Sequence, residues 1–86
     1  MIEKTTIVTN ETGIHARPAA LLVNYVKNFP GEIMIKYGEK TGNLKSILNV
    51  MALGIKKGSE VTIQVTGENE EEFANEVIGF IGNLRG

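Results

Sequence analysis

Gly13-Ile14-His15-Ala16-Arg17-Pro18-Ala19 is the stretch where an extended segment gives way to a helix, and it holds the only histidine of the 86-residue chain. Upstream, Ile2 to Thr9 is rich in threonine, isoleucine and valine, which suit a pleated surface, so a first strand is expected there. Asn10-Glu11-Thr12-Gly13 breaks it. Downstream, from Ala16 to about Lys27, Ala19, Leu22, Val23, Val26 and then Phe29 recur at three- and four-residue intervals, the pattern of a helix with one buried face. Pro18 limits where that helix begins to within a residue or two. Proline is tolerated only in a first turn, and it disfavours a helical residue before it.

Beyond Phe29-Pro30-Gly31, a stop and turn, Glu32 to Tyr37 alternates, with Ile33, Ile35 and Tyr37 on one side and Glu32 and Lys36 on the other. Tyr37-Gly38-Glu39-Lys40 reverses the chain into a short strand, Lys40 to about Leu44, which Gly42 should weaken. Lys45 to Gly54 has serine at a natural N-cap, Ser46, and glycine at a natural stop, so a second, short helix is expected. Lys56-Lys57-Gly58 turns into Glu60 to Thr66, where Val61, Ile63 and Val65 alternate with polar residues. After Gly67, Asn69 can cap a last helix with Glu70, Glu71 and Glu72 in its first turn and Phe73, Val77, Phe80, Ile81 and Leu84 on one face. Gly79 and Gly82 lie inside it, each costing about 1 kcal/mol relative to alanine, so its end is expected to fray.

The order strand, helix, strand, strand, helix, strand, helix predicts an α+β fold, an antiparallel sheet covered on one side by helices and joined by right-handed crossovers. A single domain spanning residues 1–86 is expected, burying roughly 60–65% of its unfolded surface. A net charge of −1 gives no strong attraction to a nucleic acid or an anionic membrane. With zero cysteines and one histidine, neither a disulfide framework nor an N/S zinc site is available. No apolar run approaches the roughly 20 residues of a membrane span and no leader is visible, so a soluble intracellular protein is expected. Neither a cofactor nor a metal is anticipated.

N–H groups in the first turn of a helix have no intrahelical partners, and the aligned peptide dipoles place partial positive charge there, so His15 stands where an anion is favoured. An imidazole there could carry a phosphoryl group. Its nitrogen would bond phosphorus while the N–H groups of Ala16 and Arg17 and the Arg17 guanidinium take the oxygens. The plainer reading is a surface or capping histidine, although histidine is not a favoured N-cap and such a role leaves Arg17 and Pro18 unexplained. A hydrolase using His15 as base would need a nucleophile and an orienting partner, and Thr12 is only the nearest hydroxyl. Ser46 suits a cap and equally a regulatory phosphate, which the helix dipole would tolerate. Ile47, Leu48, Met51, Ala52 and Leu53 make the short helix apolar around most of its circumference. Either a loop covers it or it is a docking patch. Lys27, Lys40 and Lys45 read mainly as solvated charges, and Glu68 to Glu72 as a solvated helix start.

The segment Gly13 to Ala19, with Asn43-Leu44-Lys45-Ser46-Ile47-Leu48 and the following residues to Leu53-Gly54, closely resembles the histidine-containing phosphocarrier, or HPr, family of the bacterial phosphotransferase system. The resemblance extends over essentially the whole chain. It implies an open-faced β-sandwich, a four-stranded antiparallel sheet covered on one face by three helices, in the order βαββαβα. It further implies a phosphoryl carrier, not itself an enzyme, with His15 accepting on Nδ1 from phospho-enzyme I, ultimately from phosphoenolpyruvate, and passing the group to sugar-specific IIA domains. Arg17 would balance the phosphate charge, and Ser46 would be phosphorylated by an HPr kinase/phosphorylase to act with a catabolite control protein. Ala20, Ile47, Leu48 and Met51 match docking positions. The location implied is cytoplasmic, and the alternative is a purely regulatory module controlled at Ser46. Asn49 stands where many relatives have glycine. The paralogue devoted to catabolite repression lacks the active-site histidine, and the presence of His15 argues against that assignment.

Overall fold

A computed structural model describes residues 1–84. It contains β1 (Ile2–Ile7), α1 (Ala16–Val26), β2 (Glu32–Tyr37), β3 (Lys40–Asn43), α2 (Ile47–Ala52), β4 (Glu60–Thr66) and α3 (Glu70–Gly82). The strands form one antiparallel sheet in the order β1-β4-β2-β3, and the helices cover a single face, giving the α+β open-faced sandwich. Register decides which residues face the helices. Ile63 pairs with Lys4 on one side and Ile35 on the other, Val65 with Ile2 and Ile33, and Ile35 in turn with Gly42. Ile33, Ile35, Val61, Ile63 and Val65 are thereby buried against Leu22, Val26, Val50, Val77 and Ile81 of the helices.

The face away from the helices is mostly polar. Glu3 accepts from Gln64 at 2.6 Å, and the Thr5 and Thr62 hydroxyls lie 3.1 Å apart. On edge strand β1, Lys4 points toward the helix side and meets Glu71 of α3 at 3.8 Å. A charge directed inward on an edge discourages pairing with another sheet. Between α1 and α3, Tyr25 stacks on Phe80 and Phe29 on Phe73, with ring centroids 4.2 and 4.3 Å apart. The Tyr25 hydroxyl donates to Glu76 at 3.4 Å; partial burial first, and then the carboxylate, push its phenol up from the ordinary value.

Several expectations need correction. β1 stops at Ile7, two residues early, because Val8 donates to Ser59 O (2.9 Å) and accepts from Gly58 N (2.7 Å), tying the chain to the loop before β4. Gly42 does more than weaken β3: it is buried, and a Cβ there would stand 3.3 Å from Asn49 O, so its lack of a side chain lets α2 settle on the sheet. Lys45 is not simply solvated. Its ammonium donates to the carbonyls of Phe29 and Gly31, the latter at 2.9 Å, clamping the turn after α1 to the start of α2. Asn69 does not cap α3 with its side chain; it sits in the left-handed region at φ 58°, and Glu70 Oε1 instead accepts from Gly67 N at 3.2 Å. α3 continues through Gly79 and Gly82, with Asn83 Nδ2 donating to Gly79 O at 2.9 Å.

Glu70 also pairs with the N-terminal ammonium at 2.9 Å. That hydrogen bond first, and the Gly67 N–H second, hold its carboxyl below the ordinary value of 4.5. A depressed carboxylate adds stability that is fully present above its unfolded-state pKa and is lost as pH falls through the folded-state value. Glu70→Gln is therefore expected to lower the denaturation midpoint at neutral pH and to match the parent protein in acid below that range. Urea unfolding across the pH series measures the difference.

Candidate functional site

The loop that ends at His15 is built on a second loop. Gly13 has φ +67°, and a Cβ on it would collide with the Ile55 carbonyl and lie 2.8 Å from Lys56 Cα. Only glycine permits so close an approach with that backbone. Gly13 N donates to Asn10 O at 3.1 Å and Ile14 N to Ile55 O at 3.0 Å, while Ile14 is buried in the core. Glu11 and Lys57 pair across the two loops at 2.8 Å; the hydrogen bond from Lys57, and then its charge, pull the Glu11 carboxyl below its ordinary value. The pair is fully solvated and contributes little to stability.

His15 itself is the N-cap of α1, with extended backbone (φ −92°, ψ −158°), an exposed side chain and no capping hydrogen bond from its ring. Its carbonyl accepts from Ala19 N at 2.8 Å, the first bond of the helix. Pro18 has no N–H, so the free donors of the first turn are those of Ala16 and Arg17. Both residues are exposed. No acidic residue sits in that turn to occupy the positive end of the dipole.

Two concavities meet at the histidine. One, of about 500 Å³, is lined by Thr12, His15, Ala16, Arg17 and Pro18, so the structure brings together the three residues expected to hold a phosphoryl group. The other, of about 460 Å³, runs from His15 past Ile55, Lys56 and Lys57 to Met51 on α2. Ile47, Leu48 and Met51 are 39%, 80% and 40% exposed, so among the described residues no loop covers the apolar side of α2. Of the expected docking residues only Ala20 is half-buried. Ser46 is the N-cap of α2, its Oγ accepting from Asn49 N and Nδ2, each at 3.2 Å. Asn49 Oδ1 in turn accepts from Asn43 N at 3.1 Å. Ser46 lines neither concavity at His15.

Residues 2–83 match the family described as "PTS HPr component phosphorylation site". The chain belongs to the HPr family. It is 46% identical over 72 residues, 84% of its own length and 81% of the relative's, to the phosphocarrier protein HPr of Mycoplasma capricolum. The crystal structure of an HPr from Bacillus anthracis superposes with a TM-score of 0.87 at 37% identity, covering 92% of this chain and 94% of that one. The Bacillus subtilis catabolite repression protein Crh, whose crystal form is described as a swapped dimer, superposes at 0.75 and 33%, covering 95% and 94%. Two exposed apolar residues of α1, Leu21 and Tyr25, were not legible as such in the sequence. Leu21 points outward because helical spacing buries Leu22 beside it, whereas Tyr25 is part-covered by its stacking on Phe80 of α3. Their only signal was excess apolarity next to the buried stripe.

Gly13→Ala is expected to cost at least about 2 kcal/mol, since it combines a forbidden φ with a backbone collision. A lower denaturation midpoint with unchanged dependence on denaturant is the expected result.

Proposed function

We propose that this HPr-family chain is a phosphoryl carrier whose acceptor is His15. The observation that supports it best is an exposed imidazole at the N-cap of α1 whose ring takes no part in capping, beside two first-turn N–H groups that no side chain caps. In this reading Nδ1 attacks the phosphorus of phospho-enzyme I; the new N–P bond forms as the donor's bond to phosphorus breaks. The N–H groups of Ala16 and Arg17 and the Arg17 guanidinium take the oxygens. A IIA domain then attacks the same phosphorus, and His15 leaves as free imidazole. Two backbone donors and one arginine stabilise the group without trapping it, which suits a carrier that must release what it accepts. The catalytic work falls to the partners, which dock on Ala20, Ile47, Leu48 and Met51.

Ser46 belongs to the same proposal as a regulatory phosphorylation site for an HPr kinase/phosphorylase, the modified form acting with a catabolite control protein. A phosphate adds about −2 charge beside the apolar docking patch, which disfavours acidic or apolar partners. A purely regulatory module controlled at Ser46 is the second reading, favoured by the likeness to Crh. The presence of His15 weighs against it. In that case Ser46→Ala would abolish the cellular role and His15→Ala would leave sugar uptake unchanged.

Incubation with phosphoenolpyruvate and enzyme I is expected to give an acid-labile phosphoramidate that is absent from His15→Ala. A phosphoester, or no label, would refute the carrier. Ser46→Asp is expected to slow labelling of His15 by about tenfold, the size of effect expected when charge is placed on a docking surface. Equal initial rates for the two proteins would remove the regulatory part.

A further inference from the structure

Asn10 is 6% exposed and is the one buried polar residue among the described residues, within a core of mainly aliphatic side chains. Its Nδ2 donates to the carbonyl of Gly13. A carbonyl oxygen only accepts, so the amide is oriented with nitrogen toward Gly13 and oxygen away. That oxygen, Oδ1, is buried and has no hydrogen-bond partner among the described residues. The hydrogen bond this side chain makes goes to the Gly13 carbonyl, and removing it would leave that carbonyl without its donor.

What the amide gains is control over one peptide plane. Gly13 C=O and Ile14 N–H belong to the same peptide unit. Its N–H end donates to Ile55 O at 3.0 Å, and its C=O end is held by Asn10, so the plane is fixed from both sides. Without the second anchor the unit could pivot about its bond to Ile55. Gly13, at φ +67° and with no side chain, offers the least resistance to that motion. The next peptide leads directly into His15.

We infer that Asn10 is a positioning residue for His15, pinning the Gly13–Ile14 peptide so that the imidazole and the N–H groups of Ala16 and Arg17 address one phosphoryl group together. This rests on the carrier reading of His15. Phosphoryl transfer needs the attacking nitrogen in line with phosphorus while the oxygens meet their donors, and small misalignments are costly. Asn10 touches no substrate and acts only through the backbone.

The test compares Asn10→Ala and Asn10→Leu with the parent protein. Both remove the donor, and leucine also keeps the volume of the side chain while eliminating the unpaired oxygen, so one variant guards against loss of folding in the other. With phospho-enzyme I as donor, the turnover of transfer to His15 is expected to fall about tenfold, with KM unchanged because Ile47, Leu48 and Met51 are untouched. In ¹⁵N NMR spectra the amides of Gly13 to Arg17 and the His15 ring should shift or broaden while those of α3 and the sheet stay in place. Parental turnover in both variants, or undisturbed signals from Gly13 to Arg17, overturns the inference. The spectra need no phosphoryl group. A parent protein that takes no label, beside variants with disturbed Gly13–Arg17 signals, would remove the carrier reading and leave the positioning role standing.

Discussion

The carrier role proposed for His15 requires its ring to stay in water while its backbone stays fixed, and these demands conflict on a loop. Here the conflict is resolved by packing one loop against another. Gly13 lies on the Ile55 carbonyl, Ile14 goes into the core, and the chain emerges at His15 already in the extended conformation that opens α1. The helix then supplies its first-turn donors at a place the core has fixed. Everything proposed for the site depends on that close approach, because a side chain at position 13 would push the two loops apart.

The same economy governs α2 and its exposed apolar side. α2 has six residues, too few to hold itself together in water, and it persists because Val50 and Leu53 are buried against the sheet and α1. Gly42 gives it room to descend, and Ser46 and Asn49 close its first turn. With one side buried, the remaining apolar residues have nowhere to go but outward. The exposed surface of Ile47, Leu48 and Met51 follows from the helix being both short and apolar around most of its circumference.

The elements were readable in the chain, some from a strong period and the others from residue type, turns and caps. β2, β4 and α1 appear where alternation or helical spacing puts them, and Ser46 caps α2 as its type and position suggest. Most departures depend on long-range contacts that no local pattern encodes, and the one at Asn69 on a backbone conformation that residue type does not reveal. Lys45 looks like a surface charge until the turn after α1 folds over it and presents two carbonyls. Asn69 has the identity of a cap, but its left-handed backbone turns its side chain out of that duty, and Glu70 takes the nearby N–H. At the site, His15 and Arg17 stood out by residue type and spacing. Asn10 did not, because its importance lies in which peptide it touches.

The clamp formed by Lys45 has a consequence for the neighbouring serine. An ammonium that bridges the carbonyls of Phe29 and Gly31 is already committed, so an anion arriving at Ser46 finds no idle counter-ion in the adjacent residue. Its field would extend into solvent instead of being cancelled on the spot. In the proposed regulation, such a charge would alter the electrostatic outline that a partner meets beside α2.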